Sequence, residues 1–112
     1  MSKLGEVYFI TDGFAVKVGF TTRKPQNRLN EMQTGSSQKL RLIGSFPGTE
    51  RDEKYIHQLW KPLSSDGGTE WFDVTENAAY KMISKMRSRY LSIKLWGKYG
   101  NCIAWTLYKR SA

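Results

Sequence analysis

A single cysteine, Cys102, and a single histidine, His57, stand among the 112 residues. One thiol forms no internal disulfide, and a cysteine-based zinc cluster has nothing to draw on. Any Ser-His-Asp or Cys-His mechanism would have to run through that one imidazole. Long apolar runs are missing too: no stretch of about 18 such residues exists, which excludes a spanning helix. The start MSKLGEVYFITDG has no signal-peptide core, so a cytoplasmic location is expected. A glycine-rich phosphate loop and a dinucleotide fingerprint are both absent, which leaves nucleotide-cofactor chemistry without support.

What is present is a foldable composition, 39% hydrophobic and 13% aromatic, enough for one packed domain and too short for two ordinary ones. Acidic residues are scarce in one part only. The formal charge is +8, and residues 76–112 carry nearly all of it, with Lys81, Lys85, Arg87, Arg89, Lys94, Lys98, Lys109 and Arg110 against Glu76 alone. Trp96, Tyr99, Trp105 and Tyr108 are interleaved there. A phosphate backbone attracts such a segment through charge neutralisation and stacking. The plainer reading is a solvated basic helix and strand. No lipid anchor or strongly apolar helix face accompanies the charge, so no membrane partner is expected.

Glu6–Ile10 and Ala15–Phe20 are β-rich runs separated by Thr11-Asp12-Gly13-Phe14, where Asp-Gly supplies the backbone of a tight hairpin. Pro25, then Arg28, Leu29 and Met32 up to Gly35, predict a short first helix. Lys39–Phe46 reads as a third strand closed by a Pro47-Gly48 turn. Thr49 with Asp52 resembles a helix cap, followed by Tyr55, Ile56, Leu59 and Trp60 until Pro62 ends the run. Ser64–Thr69 is a loop, and Glu70-Trp71-Phe72 a short aromatic element capping the core. Asp73 with Glu76 signals a second cap, ahead of a helix from about residue 74 to about residue 91. Asn101–Lys109 alternates as a terminal strand. The sum is an α+β fold, a small three-stranded antiparallel sheet flanked by helices, with an added C-terminal helix and strand.

Several side chains in this order have chemical potential. With the turn centred on Asp12-Gly13, Tyr8 and Lys17 come opposite one another on one sheet face. A phenol beside an ammonium is stabilised as phenolate, and either group could accept a proton from water. The structural alternative is a tyrosine ring packed on a lysine stem. Glu53 precedes His57 by four residues, so both project from one helix face. One carboxylate with waters and a substrate phosphate suffices for Mg²⁺ or Mn²⁺. Equally, Glu53 complements the helix dipole, and His57 serves as a hydrogen-bonded structural group. Arg28, inside a short polar helix, means little alone.

Together these residues resemble a known pattern. Val7-Tyr8-Phe9-Ile10, Lys17-Val18-Gly19-Phe20-Thr21, Arg28-Leu29 and Glu53-Lys54-Tyr55-Ile56-His57 resemble the GIY-YIG nuclease superfamily. Met32-Gln33-Thr34-Gly35, Leu42–Gly48 and Gly68–Phe72 are similar to its small phage and bacterial branch, sometimes named for a meiotically up-regulated gene. The resemblance covers about residues 5–75. It implies a metal-dependent DNA endonuclease, with RNA not excluded as substrate, in a bacterial or phage-infected host cell. Residues 1–75 would be the nuclease core, and 76–112 a basic helix and strand of the same domain. By position, Tyr8 matches the first-motif tyrosine, Arg28 the arginine at the scissile phosphate, and Glu53 the metal-binding glutamate. Lys17 stands where the second motif usually has tyrosine, and Leu63 follows Pro62 where the family often has asparagine.

The expected catalytic set is therefore Tyr8, Lys17, Arg28, Glu53 and His57, with Mg²⁺ or Mn²⁺ on Glu53. Arg23, Lys24, Lys81, Lys85, Arg87, Arg89, Lys94 and Lys98 would hold the nucleic acid. Two rival expectations are a nucleic-acid-binding module without hydrolysis, and a protein-interaction module that pairs, as a homodimer for instance, through the C-terminal strand.

Overall fold

The hairpin, the first helix and the capped second helix follow from local chemistry. The computed structural model describes residues 3–65 and 70–99, with side chains through residue 92. Strands β1 (Gly5–Thr11) and β2 (Val16–Thr21) pair antiparallel, and helix α1 (Pro25–Thr34) starts at its proline. Strand β3 (Arg41–Gly48) returns alongside β1. Helix α2 (Glu50–Leu59) is opened by a capping box, in which the Thr49 hydroxyl accepts from the helix backbone and Asp52 accepts from the Thr49 N–H. A 3₁₀ turn at Lys61–Leu63 leads to β4 (Trp71–Phe72), and helix α3 (Glu76–Tyr99) follows.

The fold is α+β as expected, but the sheet has four strands in the order β3-β1-β2-β4, not three. Trp71 and Phe72 do more than cap the core: they pair with Lys17 and Val16 and extend the sheet beyond β2. Strand β3 runs through Pro47-Gly48, where the sequence reads as a turn. It lies at the sheet margin, where proline forfeits no ladder bond. Helix α3 is capped by Thr75, whose hydroxyl accepts from the Ala78 N–H, rather than by Asp73, and it extends past residue 91 to Tyr99. The expected strand at 101–109 lies outside the described residues.

Hairpin register differs from expectation by two residues. Asp12–Ala15 forms a four-residue loop, in which Asp12 Oδ1 accepts from the Phe14 and Ala15 N–H groups and Gly13 takes a positive φ of 96°. Tyr8 consequently pairs with Gly19, and Lys17 with Ile10. Because the shift is even, Tyr8 and Lys17 still share a face, as diagonal rather than direct neighbours.

The two faces of the sheet are unequal. Val7, Phe9, Val16, Val18 and Phe46 form the larger core with Ile56 of α2, Trp60 at the C-cap of that helix, and Ala79, Met82, Ile83 and Met86 of α3. Rings of Phe9, Trp60 and Phe72 meet edge-on at centroid distances of 6.0 and 5.8 Å, tying β1, β4 and α2 together. A bulge between the pairs of Phe9 and Ile10 lets both Ile43 and Phe46 face this core despite their spacing of three. On the other face lies a smaller cluster of Tyr8, Ile10 and Leu40, covered by Leu29 and Met32 of α1 and flanked by Trp71.

Candidate active site

Tyr8 is 2% exposed and lies across β2, at a place where only glycine fits. A Cβ on Gly19 would stand 2.3 Å from both Cζ and the hydroxyl oxygen of Tyr8. The ring is thus held by the absence of a side chain on its register partner. Above it, α1 brings Arg28, whose guanidinium stands within electrostatic range of the Tyr8 side chain. Tyr8 first, and Glu31 second, raise the Arg28 pKa further above its ordinary value. Glu31 takes Arg28 at 2.8 Å and Arg23 at 2.7 Å, so one exposed carboxylate spans two guanidinium groups. Those two partners, Arg23 foremost, hold the Glu31 carboxyl below its usual range.

The second group gathers beside β4. Lys17, only 13% exposed at its side chain, makes an ion pair with Glu70. Glu53, half-buried on the first turns of α2, stands within electrostatic range of Lys17, Glu70, Glu50 and His57. Burial is the main reason its carboxyl is raised above the usual value; Glu70 and Glu50 add to the rise, while His57 and Lys17 oppose it. His57 is committed to the backbone. Its Nε2 donates to the Val18 carbonyl at 2.8 Å, next to the point where β4 pairing ends, and its ring packs on Phe72 at 5.4 Å. Since a carbonyl only accepts, this contact places the ring proton on Nε2.

The structure therefore sets Arg28 within electrostatic range of Tyr8, places Lys17 diagonally from Tyr8, and draws Glu53, Lys17, Glu70 and His57 into one electrostatic group. Three residues absent from the sequence-derived set belong to this arrangement: Gly19, Glu31 and Glu70. Glu31 had a signal, the i, i+3 spacing from Arg28. Gly19 stood inside the second motif. Glu70 had none, since it lies far along the chain from Lys17.

Among the described residues no three His, Cys, Asp or Glu side chains converge as a metal cage. A partly desolvated carboxylate with a second carboxylate close by is nonetheless suitable chemistry for a hydrated hard cation, which keeps several waters and needs one or two protein oxygens. A cation beside Glu53 would also offset the burial and like-charge repulsion that raise its pKa. Mg²⁺ or Mn²⁺ fits these residues.

The basic residues divide between surfaces. Arg23 and Lys24 are exposed at the entrance to α1, on the Tyr8 side. Lys81, Lys85, Arg87 and Arg89 are exposed on α3, which packs on the opposite face. Arg87 Nε donates to the Ser45 carbonyl at 3.0 Å. Lys94 and Lys98 fall in the last part of α3, and their side chains lie outside the described residues. No helix of the described residues is long and apolar enough to cross a membrane.

A family profile described as the T5orf172 domain matches residues 5–87. No curated protein and no solved structure matches the chain.

Proposed function

The chain belongs to the T5orf172 domain family, and from that premise we propose that it is a metal-dependent endonuclease of GIY-YIG type that hydrolyses phosphodiester bonds in DNA. A nuclease-like or DNA-binding role is compatible with the family. The observation that carries the finer reading is the place of Lys17, which is diagonal to Tyr8 on the sheet and also paired with Glu70 and within electrostatic range of Glu53, so that it links the Tyr8–Arg28 pair to a desolvated carboxylate.

Hydrolysis needs a water oxygen to form a bond to phosphorus while the opposite P–O bond breaks and the leaving oxygen gains a proton. Tyr8 orients the attacking water and, in its phenolate form, takes that water's proton to become the neutral phenol. Arg28, held charged, faces the oxyanion that develops at phosphorus, where a preorganised donor contributes most. Lys17, fixed by Glu70, adds a second positive charge. Glu53 would hold the cation, with Glu70 near enough to share it through water. When bound, Mg²⁺ or Mn²⁺ supplies charge neutralisation for the leaving oxygen. His57 positions α2 against β2 and so acts on Glu53 through the helix. Arg23 and Lys24 hold the strand by its phosphates.

The test is nicking of supercoiled plasmid with Mg²⁺. Glu53→Gln and Arg28→Ala are each expected to slow cleavage on the order of 10²-fold or more, with DNA binding by Glu53→Gln retained. Cleavage equal to wild type in both variants overturns the assignment. Binding without cleavage by the unaltered protein, with either metal, leaves a DNA-binding module of the same fold.

A further inference from the structure

On the sheet face that carries Tyr8 lies a cleft of about 330 Å³ lined by Trp71, Met32, Leu40, Asp12, Glu31 and Gln38, among others. That volume is within the roughly 300–1,000 Å³ range of small-ligand sites. Its place is set by two connections. Trp71 is the register partner of Lys17, and Glu31 is bonded to Arg28, so the cleft is bounded by the immediate neighbours of two proposed site residues. Paired strands stand about 4.8 Å apart, so Trp71 lies one strand spacing from Lys17.

The lining chemistry discriminates among the parts of a nucleotide. Trp71 and Met32 offer a flat aromatic and a polarisable thioether surface, both suited to a π-face. Asp12 and Glu31 line the cleft with carboxylate oxygens, whereas the guanidinium groups of Arg23 and Arg28, which pair with Glu31, are not among its lining, so a phosphate has its counter-charge at the border and not inside. An uncharged base edge carrying an amino group meets acceptors instead. We propose that this cleft is a subsite for one unstacked nucleobase of the substrate strand, adjacent to the cleaved phosphodiester, stacked on Trp71 and favouring the amino-bearing bases cytosine, adenine and guanine over thymine.

This inference rests on the proposed hydrolase but is separable from it. A base reaches such a cleft only when it is out of a duplex, so single strands, flaps or unpaired junctions are the favoured substrates. The experiment alters the DNA rather than the protein. Single-stranded oligonucleotides are prepared with an abasic site next to the mapped cleavage position, or several nucleotides away. Loss of the adjacent base is expected to lower kcat/KM about tenfold or more, in line with base–aromatic stacking, and loss of the distant base to leave it unchanged. Trp71→Leu should cut intact and abasic substrates alike, and Trp71→Phe should restore discrimination. Equal cleavage of intact and adjacent-abasic DNA by the unaltered protein overturns the subsite and leaves the hydrolase standing. If the protein cuts nothing, tryptophan fluorescence separates the two ideas. Quenching by an intact strand that is absent with a wholly abasic strand, and diminished in Trp71→Phe, supports the subsite alone; equal quenching by both strands overturns it.

Discussion

Glu53 is kept in a place that suits its neighbours poorly. Burial and the Glu70 and Glu50 carboxylates raise its pKa above the ordinary 4.5, so ionising it costs the folded chain more than the unfolded one. At a pH below the unfolded value both states hold the proton, and Glu53 has no effect on stability. As pH rises, the unfolded chain releases its proton first, so the native state loses stability until the folded carboxyl has also ionised; the penalty then stays constant. Glu53→Gln removes it. Without divalent metal, the variant is expected to show a higher urea midpoint than wild type at neutral pH, with the gain vanishing below the ordinary carboxylate range. The gain is small because the group retains contact with water. Denaturation series at several pH values check it, and a lower midpoint at neutral pH would sink this account of Glu53.

At the scale of elements, the β1–β2 hairpin is the piece on which the site depends. Gly19→Ala would press a methyl group into the Tyr8 ring, and overpacking of this kind typically costs about 1–3 kcal/mol. The variant is therefore expected to lose stability by that amount and, at temperatures where it remains folded, to cleave more slowly because the hydroxyl leaves Arg28. Thermal unfolding and cleavage rates measured together test this; unchanged values for both would show that Tyr8 is not pinned by β2. The same hairpin shows what was legible in the sequence. Alternating apolar residues fixed both strands and their faces, and Asp-Gly located the turn. The register was not legible, because it depends on whether Asp12 accepts from one or two backbone groups beyond it, a detail of loop conformation rather than composition. Strand β4 was hidden for a different reason. Two residues have too little periodicity to read, and Trp71-Phe72 is a strand only because β2 offers an unpaired edge. The Thr49 cap was plain, whereas Asp73 outshone the true cap, Thr75, by matching the acid-at-three pattern. Tyr8, Lys17, Arg28 and Glu53 could be named as candidates from motif order, but their partners Glu31 and Glu70 required the fold.

For the molecule as a whole, the sheet separates two basic surfaces. Arg23 and Lys24 lie on the side of Tyr8 and Arg28, while α3 with Lys81 and Lys85 covers the other side. Charge alone would favour the C-terminal region as the DNA platform, since most of the excess resides there; geometry favours the entrance to α1. Arg23→Ala and Lys24→Ala are each expected to reduce the slope of log affinity against log salt by about 1, and Lys81→Ala with Lys85→Ala to leave it nearly unchanged. Salt titrations of binding with the Glu53→Gln protein, in the absence of divalent metal, decide the matter. An equal loss from α3 substitutions would mean that DNA wraps past the sheet margin.

That margin has a further property. Pro47 brings no N–H to β3, and the Ser45 carbonyl two residues earlier is already taken by Arg87. With period-two alternation along a strand, these are groups on the same outward side. An incoming strand would find one donor missing and one acceptor occupied in succession. The outer border of β3 is thus a poor template for cross-β stacking, so crowded copies of this chain are kept from growing into ribbons along that border by one imino acid and one arginine.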